Sequence, residues 1–95
     1  MNRENAKKAA VEVARQHAHA SYEQLALRVG AEHDYHQVTV EGVEYQVTFK
    51  VIWDDQPGGL LRVWVAVDDG GPRAFMPMVF CDLLGPTQHF EANLE

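Results

Sequence analysis

Cysteine is almost absent from this sequence, since Cys81 is the single one among 95 residues. One thiol cannot close an intramolecular disulfide, and it cannot supply the several thiolate ligands of a cysteine-rich metal site. Cys81 also follows an apolar stretch and has no neighbouring histidine that would activate it. We therefore expect a half-buried structural thiol, in a domain that depends on its apolar core for stability.

Basic residues are few as well, because 8 Lys and Arg stand against 14 Asp and Glu and the net charge is −6. The basic residues are scattered, whereas a protein that binds a phosphate backbone needs them clustered. No stretch approaches the ~20 apolar residues of a membrane-spanning helix. The charged start of the sequence is not followed by the apolar run of a signal peptide. We expect one cytoplasmic domain over residues 1–95, with no nucleic acid or membrane partner.

The most regular pattern in the chain is an alternation of apolar and polar residues over Val43–Trp53. Side chains of a strand alternate between its two faces, so this pattern predicts a long strand with one buried face. Turn signals at 41–42, 54–59 and 68–72 separate it from further apolar stretches at 35–40, 61–67 and 73–80. Short turns join antiparallel neighbours, so the sequence predicts a four-stranded antiparallel meander over residues 35–80.

A helix is predicted before the sheet, over residues 4–29. Its apolar residues step by three or four positions and form one stripe: Val11, Ala14, Ala18, Tyr22, Leu25 and Val29. Ser21 followed by Gln24 is a capping-box pattern, which predicts a kink or break near His19. The predicted fold class is therefore α+β, with one N-terminal helix packed on the meander. The residues from 86 to 95 are expected to form a loose tail.

The outer face of the predicted sheet is the leading candidate for a functional surface. If Val51 lies opposite Val63, so that the buried faces stay together, then Ile52 lies beside Arg62 and Lys50 lies opposite Trp64. Trp64 then points away from the helix, and an apolar patch on the solvent side of a small domain is typical of an interface. The predicted interface residues are Ile52, Arg62, Trp64, Arg73 and Phe75.

These residues lead to the hypothesis of a non-catalytic protein-interaction module that binds another protein or a second copy of itself. Two other outcomes would leave Trp64 covered by its own chain. The C-terminal tail, with Leu83, Leu84 and Phe90, can fold back over the patch, or Lys and Arg side chains can lie on the indole by cation–π stacking. No cofactor is expected. The sequence shows no Ser-His-Asp order, phosphate loop or carboxylate pair, so an enzyme is not expected either.

A small-ligand or divalent-metal site is the main alternative. The turn at 54–59 is expected at the same end of the sheet as the start of the first strand, which brings together His33, His36, Asp54 and Asp55. At the opposite end, Glu41, Glu44, Asp68 and Asp69 are candidates for Ca²⁺. Turn formation also explains both sets, because Asp and Gly are common in turns for conformational reasons, and no metal is expected at either.

Two stretches of turn residues resemble signatures of a group of short uncharacterised bacterial proteins. The first is Trp53-Asp54-Asp55 with Pro57-Gly58-Gly59 and Leu61-Arg62-Val63, and the second is Asp68-Asp69-Gly70-Gly71 with Arg73-Ala74-Phe75 and Pro77. Together they cover about a quarter of the chain. The resemblance implies no activity, and it marks these turns with Arg62 and Arg73 as candidate functional positions.

The order of one helix followed by a four-stranded meander is also similar to the cystatin fold. The hairpin Val40-Glu41-Gly42-Val43-Glu44-Tyr45 resembles the first inhibitory hairpin of cystatins, which implies protease inhibition as a further alternative. The chain departs from the cystatin pattern in several places. Val38 stands where cystatins have a glutamine, and the glycine-bearing N-terminal arm and the Pro-Trp second loop are both missing. Fold analogy alone does not transfer function.

Overall fold

The computed structural model describes residues 2–31, 34–70 and 77–94. Its elements follow one another as α1 (Arg3–Arg15), α2 (Tyr22–Ala26), β1 (Asp34–Val40), β2 (Val43–Trp53), β3 (Leu61–Asp68) and β4 (Met78–Leu84). The strands form one antiparallel sheet in the order β1-β2-β3-β4. The helices pack on one face of this sheet, which confirms the predicted α+β meander.

The register between β2 and β3 is the predicted one. Val51 lies opposite Val63, and Lys50 lies opposite Trp64. The face that this register turns toward the helices forms the core, where Phe49 and Val65 are at most 1% exposed. The opposite face, called the outer face below, carries Lys50, Trp64 and their neighbours toward solvent.

α1 covers the core with very small side chains. Asn2 caps the helix, because its side-chain oxygen accepts a hydrogen bond from the backbone N–H of Asn5 at 3.1 Å. The helix face toward the sheet is fully buried and consists of Ala6, Ala9, Ala10, Val13 and Ala14. The alanine methyl groups project only a short distance from the helix, so the backbone of α1 can lie close to the strands. Val13 is the one larger side chain on this face of α1.

The predicted helix over 4–29 is divided into two. α1 ends at Arg15, and the turn that follows contains His19 with φ +70°, a left-handed conformation that stops a helix. The capping box then starts α2: the Ser21 hydroxyl accepts from the Gln24 N–H, and the Gln24 side chain accepts from the Ser21 N–H. The break predicted near His19 is therefore confirmed, and its cause includes contacts with the C-terminal segment.

That C-terminal segment differs from the expected loose tail. Phe90 is fully buried, Leu94 is 3% exposed, and both belong to the core. The backbone of Phe90 accepts from the His19 N–H at 2.8 Å and donates to the Ala20 carbonyl at 2.9 Å. The physical reason is that the interrupted helix leaves part of the sheet uncovered, and these apolar side chains fill the space.

β4 extends further toward the C-terminus than the strand predicted at 73–80. It runs over Met78–Leu84, and positions 73–76 of the prediction lie outside the described residues. The sequence left the facing of this strand open, because both of its residue sets are apolar. In the structure Phe80 and Leu84 face the core, and Val79, Cys81 and Leu83 lie on the outer face.

Candidate functional site

The outer face carries a cluster of apolar side chains around Trp64, which we call the outer patch: Ile52, Trp64, Val79, Cys81 and Leu83. Cross-strand pairing brings the cluster together. Trp64 lies between Lys50 and Cys81, and Arg62 lies between Ile52 and Leu83. Leu83 is 43% exposed and Val79 is 36% exposed. The patch is thus an apolar surface in contact with solvent.

Of the two alternatives in which the chain itself covers Trp64, the cation–π contact is present and the fold-back of the tail is not. The Lys50 Nζ lies 5.5 Å from the centroid of the Trp64 ring, within the range of a cation–π contact. The C-terminal segment packs instead on the core side, where the Phe90 ring meets Phe49 edge-on at 6.3 Å between centroids. Leu84 is buried on that side too. The alternative in which the tail folds back over Trp64 is therefore not realised in the described residues.

An ion pair borders the outer patch at the end of β2. The Arg62 guanidinium donates to one Asp54 carboxylate oxygen from Nε at 2.9 Å and from Nη2 at 2.5 Å. The hydrogen bond with Asp54 raises the pKa of Arg62, and a weaker contribution comes from the side chain of Cys81. Arg62 therefore stays charged at the rim of the patch. Two further predicted interface residues, Arg73 and Phe75, lie outside the described residues.

The residues of the alternative metal site at the 33–36 and 54–59 end do not come together as that alternative required. β1 begins opposite Phe49, so β2 continues past it for residues 50–53. His36 lies opposite Val47, and Asp54 follows seven positions later, about 23 Å along an extended strand. The expectation that His36 and Asp54 meet is therefore wrong, and Asp54 is bound to Arg62. Asp55 is exposed in the turn, and His33 lies outside the described residues.

The second set of metal candidates has a structural explanation in part. The Glu41 carboxylate accepts a hydrogen bond from the side-chain amide of Asn5 at 2.9 Å, which ties the β1–β2 hairpin to the start of α1. Asp68 accepts from the backbone N–H of Gly70 at 2.9 Å, the geometry of a turn. Within residues 2–31, 34–70 and 77–94, no group of His, Cys, Asp and Glu side chains is arranged to hold a metal ion.

A second polar cluster, absent from the sequence predictions, lies where the helix break meets the start of β1. The His17 ring stacks on Phe49 with 3.9 Å between centroids and 11° between planes. The His17 Nε2 lies 3.8 Å from an oxygen of Asp34, and Asp34 forms an ion pair with Arg28. The sequence gives no sign that the chain folds His17 over Phe49.

Burial controls the protonation of His17. Its side chain is 17% exposed, and desolvation by burial lowers its pKa below the ordinary value of 6.5. The cation of Arg28 lowers it further, and the carboxylate of Asp34 opposes both. Nearby His36 has a buried Nε2 that has no hydrogen-bond partner among the described residues. The cluster therefore holds the His17 imidazole against the Phe49 ring, and burial there lowers the pKa of His17.

Comparison with known proteins gives no information about the function of this chain. No family model, curated protein or solved structure matches this chain. Among the helices described, none combines the length and apolar character needed to cross a membrane.

Proposed function

We propose that this chain is a non-catalytic protein-interaction module that binds a protein partner through the outer patch. The single observation that carries the proposal is the position of Trp64. Its strand neighbours Val63 and Val65 are fully buried in the core, while Trp64 is half-buried on the outer face, where it contacts Lys50 and lies next to Ile52 and Leu83. A domain of this size gains nothing for its own core from an aromatic side chain in that position.

The composition of the patch is that of an interface centre with a polar rim. Trp and Arg are enriched where protein partners make their strongest contacts, whereas Lys, Glu and Asp are depleted there and belong to the rim. The outer face, which holds the patch and its rim, spans about 19 Å across the four strands at ~4.8 Å per strand and about 26 Å along eight residues of a strand. A corrugated surface of that size is of the same order as the ~800 Å² that each protein contributes to a standard interface.

The charges on the outer face indicate the chemistry of the partner. Lys50 adds a positive charge next to Trp64 in a chain whose net charge is −6, whereas the charge of Arg62 is balanced by Asp54. Stacking two such faces would bring like charges together in two anionic molecules, which disfavours self-pairing through this face. The fitting partner is a different protein with an apolar surface bordered by carboxylates.

A cytoplasmic location is part of the proposal. Its support is the free thiol of Cys81, which persists in a reducing compartment.

The test compares variants that keep the fold and differ in the patch. Trp64→Ala removes the anchor, and Lys50→Glu reverses a charge beside it; Lys8→Glu on the exposed side of α1 makes the same change in net charge. Each protein is used to capture partners from an extract of the source cells at low and high salt. We expect one protein to bind wild type and Lys8→Glu, to fail to bind either patch variant, and to be released at high salt.

An identical set of captured proteins for all four chains contradicts the proposal. Circular dichroism of each variant separates loss of binding from loss of fold. The free energy of unfolding of Trp64→Ala should lie within about 0.5 kcal/mol of the wild-type value, as is usual for substitutions outside the core.

A further inference from the structure

Three groups that can carry a positive charge lie close to one carboxylate beside the Phe49 ring. The His17 ring stacks on Phe49, and the Arg28 guanidinium lies 5.6 Å from the centroid of the same ring. Asp34 lies opposite Phe49 on β1 and forms its ion pair with Arg28. His36 follows on the same face of β1. Of the described groups that act on His17, Asp34 is the one anion, and Arg28 already balances it.

A proton on His17 therefore has no free carboxylate to balance it. Its Nε2 atom lies 3.8 Å from Asp34 Oδ2, beyond hydrogen-bond distance, and that same oxygen is bound to Arg28. Burial lowers the pKa of His17, and the cation of Arg28 lowers it further. The carboxylate of Asp34 acts in the opposite direction, and His36 adds to the lowering. The folded environment thus favours the uncharged imidazole.

The turn that carries His17 also holds the C-terminal segment. Two residues beyond His17, the His19 N–H donates to the Phe90 carbonyl at 2.8 Å, and the Phe90 N–H donates to the Ala20 carbonyl at 2.9 Å. The Phe90 ring meets the Phe49 ring edge-on, so His17 and Phe90 contact the same ring. At that ring, β2 and the C-terminal segment contribute Phe49 and Phe90, which carry no charge. A movement of His17 off Phe49 therefore acts directly on the contacts of Phe90.

Both sides of this contact contain a residue with strained backbone. His19 in the turn has φ +70° and Ala92 in the segment has φ +60°, left-handed conformations that residues with a side chain rarely adopt. Such conformations persist where the surrounding contacts enforce them. Both residues can relax when the contact opens, which lowers the cost of a local opening relative to unfolding of the whole domain.

We propose that His17 is a pH-sensitive switch for the C-terminal segment: when its imidazole takes up a proton, the turn at 16–20 leaves Phe49 and residues 86–94 detach from a sheet that stays folded. In the open form the imidazole is solvated, with an ordinary pKa of about 6.5. Because the pKa is lower in the closed form, the closed form is most favoured above about pH 6.5 and loses stability as the pH falls below it. The switch lies on the core side of the sheet and is independent of the outer patch.

Amide hydrogen exchange measured by NMR at about pH 7.5 and about pH 5.5 tests the proposal. The reporters are the N–H groups of His19 and Phe90, and each rate is divided by the intrinsic rate of the unfolded sequence at the same pH. In wild type, both reporters should lose protection by up to about tenfold at the lower pH, the factor supplied by one proton that only the open form binds. The amides of the β2–β3 ladder should keep their protection.

His17→Phe keeps an aromatic ring against Phe49 but takes up no proton, so the protection of both reporters should not change with pH. His17→Gln is a second variant that does not titrate, and the readout for both is the pH dependence of exchange rather than its level. His89→Gln is the matched control, because His89 is an exposed histidine of the segment itself, and this variant should respond to acid as wild type does.

Three results would overturn the inference. The first is a wild type whose reporters keep their protection at about pH 5.5. The second is loss of protection in the β2–β3 ladder together with the reporters, which would mean that acid unfolds the whole domain. The third is an acid response of the reporters that survives in both His17 variants.

Discussion

Replacement of Phe90 by alanine tests the most unexpected feature of the fold, the integration of the C-terminal segment into the core. The Phe90 side chain is fully buried and meets Phe49 edge-on. Truncation of a buried phenylalanine costs about 3–5 kcal/mol, because apolar surface is lost and a cavity remains. A domain of this length has a total free energy of unfolding of about 5–14 kcal/mol. The variant should therefore lose a large part of its stability.

Urea unfolding followed by far-UV circular dichroism measures this loss. We expect the midpoint to fall with little change in slope, and the melting temperature to drop by at least about 12 °C, given ~4–8 °C per kcal/mol in a domain of this size. His89→Ala is the control, since His89 is the exposed neighbour in the same segment and its replacement should cost less than about 0.5 kcal/mol. A loss below about 1 kcal/mol in Phe90→Ala would refute the packing described here.

Two further predictions concern protonation and the hairpin turn. Because the pKa of His17 is lowered in the folded state, the unfolded chain binds a proton first as the pH falls. This contribution to stability is complete above the unfolded pKa of about 6.5 and is lost as the pH falls toward the folded pKa. Between about pH 8 and pH 5.5, the urea midpoint of His17→Gln should therefore fall less than that of wild type. Gly42→Ala should cost about 1–2 kcal/mol from the left-handed backbone alone, since no atom lies within 4 Å of the added methyl group, and Gly42→Asn should cost less in the same unfolding assay. Equal losses for the two Gly42 variants would contradict this explanation.

The sheet was predictable because its determinants are local. The alternation over β2 decides which side chains are buried, and a slip of one residue would turn Phe49 outward, so the register with β3 follows from the pattern. Trp64 was assigned to the outer face by this reasoning. The facing of β4 was not predictable, because both of its residue sets are apolar and only packing of Phe80 against the core decides between them.

The helix break and the C-terminal segment were harder, because each depends on the other. The capping box at Ser21 is a local signal and was predicted. The left-handed His19, however, is stabilised by a hydrogen bond to the Phe90 carbonyl, far away in the sequence. The stacking of His17 on Phe49 follows from the same turn. Contacts between residues so far apart in the chain cannot be predicted from local sequence patterns.

The expected meeting of His36 with Asp54, on which the alternative metal site depended, failed for a geometric reason. It assumed that β1 starts level with the end of β2, but the two strands have 7 and 11 residues. The short hairpin aligns the two strands at their 41–42 end. The extra residues of β2 therefore all lie beyond the start of β1, and they separate Asp54 from His36. Strand lengths are poorly determined by sequence patterns, and a few residues of error separate candidate ligands by more than any coordination distance.

The hydrogen bonds that join Phe90 to His19 and Ala20 also bear on the order of folding events. They join residues about 70 positions apart, so the chain between them must be closed into a loop before they form. The hairpins of the meander need only short loops, and we expect them to form first. The contact at Phe90 then belongs to the last stage of folding. Changes there should act on the rate of unfolding and leave the rate of folding nearly unaltered, so this segment governs how long the folded domain persists.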